Sequence, residues 1–328
     1  MLNIIDILIF INKDISKKRI GGAVIAGRKF KNALMQNNIK VKSMSYTIGN
    51  SNFFKILKDL FLVRNIVIWN ISTKSLYKFI FILFLSVFFK KKIIIRFFGS
   101  DQIDIYNKSY LNKILFKILF KMKIFLMFET IYCYDYFSKF YNKTFFLPNF
   151  IKINNDYDKN NTQIYNKKFI YVGTIAKDKG VDLILKFLNH HPDYSCDFYG
   201  LVSRNYKINN IYKKKWKESY KGTISNKNLL KLYRNYDFTI LPSSKEGYPS
   251  IVLESLNEGT PLILSRIPSL TEMIKYSAIF VDRNYNSFEK TILNIKATDL
   301  FNLKNKINLD LQNYDSNKII TKFIKEML

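Results

Sequence analysis

Short apolar runs alternate with longer amphipathic segments through the first half of the chain. We predict strands over residues 4–11, 41–46, 65–69 and 92–98, and helices from Gly21-Gly22 to about Gln36 and over residues 76–89. Strands that are apolar throughout are typical of a parallel sheet covered by helices on both faces. The pattern therefore predicts an α/β domain.

The second half repeats this alternation more clearly. We predict strands over residues 169–172, 196–199, 238–241 and 262–264, and helices over residues 181–189, 226–234, 249–257, 269–275 and much of 288–328. Ser225 is a candidate N-cap, Pro249 suits a first helical turn, and Gly259 suits a helix end. The two halves share a pattern and no repeated residues.

A polar stretch rich in Asn, Lys, Asp and Tyr separates the halves. We expect a Rossmann-like domain over residues 1–150, a linker over 151–167, a second Rossmann-like domain over 168–310, and a C-terminal helix over 311–328 that packs back on the first domain. Two such doubly wound domains face each other across a cleft, and their ligands bind outside the carboxyl ends of the strands.

The loop after the predicted strand 238–241 carries candidate chemistry. The N-terminus of the helix that follows offers free N–H groups and a positive dipole end to a phosphate. Gly247 lets a ligand approach the backbone, and Ser250 adds a hydroxyl in the first turn. Glu246 and Glu254 flank this position, and carboxylates accept hydrogen bonds well from sugar hydroxyls.

Two glutamates eight residues apart are not specific by themselves, but they belong to an ordered series. Residues 172–174, 179–182, 246–254 and 258–261 together resemble the retaining GT-B glycosyltransferases called group 1 or family 4. The resemblance is good over about residues 168–275. It is thinner over the first half, where it rests on Gly21-Gly22, Gly99-Ser100-Asp101 and Leu147-Pro148-Asn149.

The resemblance implies a role for each matching residue. Glu254 would bind the donor's ribose, Glu246 the transferred sugar, and Lys179 the leaving diphosphate, while Asp101 would line the acceptor side. The implied catalytic residues are Glu246, Lys179 and Asp101. The implied donor-binding residues are Gly21, Gly22, Gly173, Thr174, Lys179, Glu246, Gly247, Tyr248, Pro249, Ser250 and Glu254.

The sequence departs from the family's usual pattern at two positions. Thr174 stands where members usually have Arg, so a second cation for the diphosphate is missing there, with Lys177 and Arg266 as candidate substitutes. Phe98 stands where many members have His. The only two histidines, His190 and His191, follow a predicted helix and are interpreted as surface residues. A non-catalytic GT-B-like partner therefore stays open as an alternative.

The net charge of +28 points to an anionic partner: nucleic acid, a membrane surface or a phosphorylated substrate. Residues 111–128 form a predicted apolar helix with Lys113, Lys117 and Lys121 along one side. It is either a helix lying on an anionic leaflet or a buried helix with one solvated edge. A nucleic-acid-binding protein is a second alternative, but we interpret the lysines at 213–217 as a solvated loop and expect no nucleic-acid partner.

We expect neither a metal nor another cofactor. Asp156 and Asp158 lie in the polar linker, and Cys133 and Cys196 are too few for a disulfide framework. No signal peptide is predicted, and the apolar run 79–89 is too short to span a bilayer.

The expected protein is a cytoplasmic retaining hexosyltransferase, with peripheral attachment to the inner face of the membrane left open. It would move a sugar from a nucleotide diphosphate donor to a glycan or polyprenyl-diphosphate-linked acceptor. The resemblance places that reaction in bacterial surface polysaccharide synthesis, as for lipopolysaccharide or capsule.

Overall fold

The computed structural model describes residues 5–11, 22–45, 58, 60–71, 90–154 and 164–328. The chain divides into two units, each with its own parallel sheet. The first unit comprises Met1–Asn149 together with Ser316–Leu328, and the second comprises Phe150–Asp315. Helices and strands are numbered below through the described residues only.

The sheet of the first unit has six described strands, all parallel, in the order β2-β1-β3-β4-β5-β6. The strands are β1 Ile5–Ile11, β2 Val41–Ser45, β3 Val63–Ile71, β4 Lys92–Phe97, β5 Phe125–Phe128 and β6 Thr144–Phe146. Helices α1 Gly22–Gln36, α2 Gln102–Lys108, α3 Tyr110–Lys121 and α4 Ile131–Ser138 cover it. The predicted parallel sheet is confirmed, although β5, β6, α2 and α4 were not predicted.

One face of this sheet is closed by an aromatic core. Phe97 of β4 and Phe128 of β5 stack at 5.6 Å, and Phe116 of α3 and Phe137 of α4 stack at 5.1 Å. These side chains are completely buried. Such large apolar side chains give a unit of this size much of its buried area.

Helix α3 ends earlier than predicted. Residues 111–128 were predicted as one helix, but the chain turns at Lys123, whose φ is +55°, and residues 125–128 form β5. The Lys123 N–H donates to the Phe120 carbonyl and the Ile124 N–H to the Leu119 carbonyl, at 3.0 and 3.2 Å. This is a Schellman motif with lysine in the left-handed position, which is hard to recognise without a glycine.

The sheet of the second unit has five described strands, all parallel, in the order β11-β10-β9-β7-β8. The strands are β7 Lys168–Val172, β8 Ser195–Tyr199, β9 Phe238–Leu241, β10 Leu262–Ser265 and β11 Ala278–Val281. The helices are α5 Val181–His190, α6 Lys213–Ser219, α7 Asn226–Tyr233, α8 Ser250–Asn257, α9 Pro268–Met273, α10 Tyr285–Leu293 and α11 Ala297–Leu311.

Two local predictions in this unit have different outcomes. Ser225 caps α7 as predicted, because its hydroxyl accepts a hydrogen bond from the Asn228 N–H. The predicted solvated loop at 213–217 is wrong, since these lysines lie on helix α6. Trp216 fixes that helix by stacking on Tyr220 with ring centroids 4.4 Å apart.

The strand order reverses between β7 and β9. From β7 the chain passes outward to β8, then returns to the other side of β7 as β9. At such a switch point the loops leaving the two neighbouring strands diverge and open a crevice at the carboxyl edge. The loops after β7 and β9 carry Lys179 and Glu246, respectively.

The chain boundaries of the second unit lie outside the predicted ones. Ile151 pairs with Asp315, and its N–H donates to the Tyr314 carbonyl at 3.0 Å. Residues 151–154 are therefore part of this unit and not of the predicted linker 151–167, of which residues 155–163 lie outside the described part. The predicted C-terminal helix, 311–328, begins later, at Ser316, because Leu311 ends α11.

This last helix, α12 Ser316–Met327, belongs to the first unit. The Phe323 ring packs edge-on against Phe30 of α1 at 5.1 Å and against Phe145 of β6 at 6.0 Å. Lys92 donates to the Met327 carbonyl at 2.8 Å. The chain thus leaves the first unit, forms the second, and returns to the first.

Three sequence predictions fall on residues outside the described part: the helix over 76–89, Gly21, and the Asp156–Asp158 pair. Within the described part, no helix is long and apolar enough to cross a membrane.

Candidate functional site

Lys179 lies at the end of a short 3₁₀ turn, Lys177–Lys179, which follows β7 and leads into α5. The next residue, Gly180, has φ +73°, and a Cβ atom built there would lie 2.3 Å from the Pro242 carbonyl oxygen. Only glycine combines this backbone conformation with so close an approach. Gly180 therefore lets the turn pack directly on the loop that follows β9.

Hydrogen bonds hold this turn to the loop after β9. The Ser244 N–H and hydroxyl donate to the Asp178 carbonyl at 2.7 and 3.0 Å. The Lys179 ammonium donates to Glu246 Oε1 at 2.7 Å, and the side chains of Lys179 and Glu246 are only 22% and 13% exposed. The structure thus brings two predicted site residues, 67 positions apart, into one partly buried ion pair.

Helix α8 begins immediately beyond this loop. Its N-cap is Pro249, which offers no side-chain hydrogen bond to the first turn. Three hydroxyl contacts anchor the helix over β9: Thr239 with Ser255 at 2.6 Å, Ser255 to the Thr260 carbonyl at 2.8 Å, and Thr260 to the Tyr233 carbonyl at 2.7 Å. The N-terminus of α8 is therefore fixed beside Gly247 and Tyr248 with Ser250 as its first residue.

Glu254 lies in the second turn of α8 and is buried, with 5% of its surface exposed. Its charge helps to raise the pKa of the buried Tyr233, after the larger effect of burial. A carboxylate this deep in a helix is rarely retained without a polar partner. Tyr248, also a predicted donor-binding residue, is buried against the Tyr314 ring at 6.1 Å and is not a surface contact.

Gly173 and Thr174 lie at the end of β7, above Tyr171. The Tyr171 hydroxyl donates to the Thr174 carbonyl at 2.8 Å. Burial first, and then the charge of Glu246, raises the pKa of Tyr171, so it stays a neutral donor. Thr174 itself is exposed at this edge. A second close backbone approach joins the neighbouring strand, because a Cβ at Gly200 would lie within 2 Å of the Gly173 carbonyl.

The two candidate substitutes for the missing arginine point elsewhere. Arg266 lies 3.7 Å from Asp282 and stacks over the Phe280 ring at 5.8 Å. Lys177 lines a separate cavity of about 490 Å³ with Asp178, Tyr206 and Arg283. In the second unit, Lys179 contacts Glu246.

Gly99 and Asp101 of the first unit follow the carboxyl end of β4. Gly99 has φ +87°, and its N–H donates to Glu129 Oε2 at 2.8 Å. Asp101 precedes α2 and accepts a hydrogen bond from Gln102 at 3.4 Å. Gly22 is the first residue of α1, whereas Gly21 is outside the described residues.

Sequence reasoning missed three buried polar side chains of this unit: Asn70, Arg96 and Glu129, which are 3%, 1% and 5% exposed. The signal was present, because Arg96 interrupts the apolar run of β4 and Glu129 directly follows the apolar strand β5. A charged residue in an otherwise buried strand is rare unless it is paired or functional.

The histidines and cysteines take no part in this site. His191 contacts Glu289 at 2.8 Å and His190 contacts the Tyr285 hydroxyl at 2.7 Å, at the opposite end of α5 from Lys179. Cys133 and Cys196 are buried thiols. In the described part of the chain, no group of three or more His, Cys, Asp or Glu side chains is arranged to hold a metal ion.

Comparison with known sequences identifies relatives that match part of the chain. An uncharacterized glycosyltransferase of Methanocaldococcus jannaschii is 27% identical over 116 residues, which are 34% of this chain and 30% of that protein. An uncharacterized 41.2 kDa protein in the cps region of Klebsiella pneumoniae is 24% identical over 137 residues, which are 41% of this chain and 37% of that protein. The matches thus span about a third of each relative's length.

Comparison with solved structures extends the likeness to the whole chain. Anabaena HepE in complex with UDP and glucose superimposes with a TM-score of 0.69 at 11% identity, and the alignment covers 98% of this chain and 99% of HepE. At this identity the likeness shows the fold, which is GT-B with Rossmann-like domains. Residues 153–308 match the model of the family described as glycosyl transferases group 1. The second unit therefore carries the match to the group 1 glycosyltransferases, and the fold of the whole chain is that of GT-B glycosyltransferases.

Proposed function

We propose that this protein is a retaining, metal-independent glycosyltransferase that moves a hexose from a nucleotide diphosphate sugar to a glycan or lipid-linked glycan. The observation that carries this proposal is the Lys179–Glu246 ion pair, which lies at the switch point of the second sheet beside the N-terminus of α8. The family match over residues 153–308 and the fold of HepE, solved with UDP and glucose, support it.

In this proposal the donor's diphosphate binds between Lys179 and the first N–H groups of α8. Both are positive, and both are held rigidly by neighbouring contacts, so little reorganisation is needed as charge develops on the leaving group. Glu246, partly buried beside Lys179, accepts hydrogen bonds from hydroxyls of the transferred sugar. Glu254, one turn further into α8, accepts them from the ribose.

The transfer breaks the bond between the anomeric carbon and the diphosphate oxygen and forms one to an acceptor hydroxyl oxygen. Attack from the face that the diphosphate leaves gives retention, and the departing phosphate oxygen takes the acceptor's proton. The family resemblance suggests this route. Lys179 stabilises the charge that collects on the diphosphate, which is the role of a cation in such a step.

Thermal stabilisation by a panel of UDP-, GDP- and other nucleotide sugars tests the donor site. A donor at 100 times its Kd stabilises the chain by about 2.7 kcal/mol, and we expect one nucleotide to do so. Lys179→Ala and Glu254→Gln should lose the shift, each compared with its own ligand-free melting temperature. Glu258→Gln is the matched control for Glu254, because Glu258 pairs with Arg234 at 2.8 Å.

Two results would contradict the assignment: no nucleotide sugar stabilises the wild-type chain, or Glu254→Gln keeps the full shift. Lys177→Ala, in the same 3₁₀ turn as Lys179, should leave the shift intact. Release of the nucleotide diphosphate with a sugar acceptor, measured on the purified chain, separates an enzyme from a non-catalytic partner of the same fold.

We further propose that the acceptor is lipid-linked and that α3 rests on an anionic inner membrane leaflet. The exposed side of α3 presents Tyr110 and Leu111, which are 75% and 70% exposed, and Ile114, with the exposed Lys117 and Lys121 beside them. Apolar side chains set among lysines suit the headgroup layer, and the net charge of +28 adds long-range attraction. A relative in a cps region is consistent with surface polysaccharide synthesis.

Vesicle sedimentation tests the membrane proposal. Reversing the charge of Lys117 with Lys117→Glu should weaken binding to vesicles with 30% anionic lipid by about 30-fold, at about 1 kcal/mol per charge near the surface. Lys217→Glu, on α6 of the second unit, is the charge-matched control. Equal loss in both variants would mean that net charge, and not α3, determines binding.

A further inference from the structure

Three buried polar side chains form a row at the carboxyl edge of the first sheet. Asn70 of β3 is the direct register partner of Arg96 of β4, and Arg96 is paired with Met127 of β5. Register partners in a parallel sheet share a face, and Glu129 follows two residues after Met127. Asn70, Arg96 and Glu129 therefore face the same side, away from the aromatic core of Phe97 and Phe128.

Glu129 is already engaged by neighbours other than Arg96. Its Oε2 accepts the Gly99 N–H at 2.8 Å, and its Oε1 accepts the Asn149 side-chain amide at 2.5 Å. It thereby ties the loop after β4 to Asn149, the last residue before the second unit. Its charge acts on Arg96 from nearby without a hydrogen bond between them in the described contacts.

Arg96 is the unusual member of the row. Among the described residues, none accepts a hydrogen bond from its Nε, Nη1 or Nη2 atoms, and the residue is 1% exposed. Its guanidinium lies against the rings of Phe30 and Phe98, at 5.0 and 4.9 Å from their centroids. Aromatic faces attract a cation but leave the N–H groups at its edge without acceptors.

Burial lowers the pKa of Arg96 to about 10, with the charge of Glu129 acting in the opposite direction. The guanidinium is still protonated at neutral pH. A buried charge without hydrogen-bond acceptors is costly, and such a group is retained where an anion completes it. A planar guanidinium fork suits two oxygens of one phosphate.

We propose that Arg96 binds a phosphate group of the acceptor at the carboxyl edge of the first sheet. This rests on the proposed function, in which the acceptor is a lipid-linked diphosphate. Phe98, half-buried at the same edge, covers one face of the guanidinium, and rotation of its ring opens the cation to the ligand. No described atom lies within 4 Å of a Cβ built on Gly99, the residue after Phe98.

Calorimetric titration with inorganic pyrophosphate tests this site on the full chain. The Lys179→Ala background removes the donor-side cation, so the remaining pyrophosphate binding reports the first unit. Adding Arg96→Met should weaken that binding by about 10- to 100-fold, as expected for lost hydrogen bonds to a charged group. Arg96→Lys keeps the charge but not the planar guanidinium fork, so its pyrophosphate affinity should lie between those of Arg96 and Arg96→Met. Lys217→Met removes one charge from the exposed surface of α6 in the second unit and should leave the affinity unchanged.

Equal affinity in the Arg96→Met and Lys217→Met chains overturns the proposal, as does the absence of pyrophosphate binding in the Lys179→Ala background. Geranyl diphosphate should bind at least as tightly as pyrophosphate, and much weaker binding would refute a lipid-linked ligand. Stabilisation of the wild-type chain by a nucleotide sugar is independent of Arg96. If no nucleotide sugar stabilises the wild-type chain, the donor site is refuted. If Arg96→Met leaves the pyrophosphate affinity unchanged, only the phosphate site is refuted. The melting temperature of Arg96→Met should not fall, because no described hydrogen bond is removed.

Discussion

Gly180→Ala should destabilise the second unit and weaken donor binding through a single methyl group. At φ +73° an L-residue costs about 1–2 kcal/mol in backbone strain. The new Cβ would also lie 2.3 Å from the Pro242 carbonyl oxygen, which is backbone and cannot rotate away. Forcing such a contact in a packed site costs about 1–3 kcal/mol more. We therefore expect a total loss of about 2–5 kcal/mol.

The clash also separates the two loops of the site. To relieve it, the 3₁₀ turn must move away from Pro242, which lengthens the contact of Asp178 with Ser244 and that of Lys179 with Glu246. Donor affinity should fall with stability, even though the methyl group contacts neither partner of the ion pair.

Gly222→Ala is the matched control, because Gly222 has φ +77° and no described atom within 4 Å of the added Cβ. This variant has the backbone strain without the clash. We therefore expect it to lose about 1–2 kcal/mol of folding stability and to keep the donor affinity of wild type. Urea unfolding and nucleotide-sugar titration of both variants give the comparison. If the two alanines destabilise the chain equally, the close packing of the turn on Pro242 does not position Lys179.

Further predictions concern stability away from the site. Asp310→Ala should destabilise the chain by about 3 kcal/mol in urea unfolding, and Asp310→Asn by less, because the carboxylate accepts three backbone N–H groups and the Ser277 hydroxyl; equal stability of Asp310→Ala and wild type would contradict this. The Tyr285 hydroxyl, and then His191, lower the pKa of Glu289 from 4.5. The contribution of Glu289 to folding stability is therefore complete above pH 4.5 and is lost as the pH falls through the lowered pKa. Below pH 4.5, the melting temperature of Glu289→Gln should therefore depend less on pH than that of wild type. An unchanged pH dependence would exclude the contact. Lys123→Gly should stabilise the chain by about 1 kcal/mol, because Lys123 has φ +55° at the end of α3, whereas Lys121→Gly inside the helix should destabilise it by a similar amount.

The second unit was readable from sequence because its local signals agree with its fold. Apolar strands of four or five residues are followed by helices whose ends carry ordinary signals, such as Ser225 at α7 and Gly180 before α5. The two loops of the site follow neighbouring strands, so the fold class alone brings Lys179 close to Glu246. Their ion pair could not be predicted, because it depends on the turn packing on Pro242.

The first unit was harder to read because its signals are atypical. α3 ends at a lysine in the left-handed conformation where glycine is usual, so the helix and the strand β5 were merged into one predicted helix. The second unit has one such place as well, where lysines that suggest a solvated loop form α6, since Trp216 and Tyr220 supply packing that composition does not reveal. Tertiary contacts overrode local propensity in both places.

The buried polar row of Asn70, Arg96 and Glu129 could not be predicted for a different reason, which is the composition of the chain. In a chain with 53 Lys and Arg residues, one more arginine carries no information unless its strand is known to be buried. Once β4 is placed between β3 and β5, the same residue becomes a cation enclosed by Phe30 and Phe98 with Asn70 as its register partner. Phe98, which in sequence only marks the absence of a usual histidine, then gains a physical role. It covers a guanidinium that an imidazolium at the same position would repel, so the arginine and the phenylalanine are best understood as one paired feature at the carboxyl edge of the first sheet.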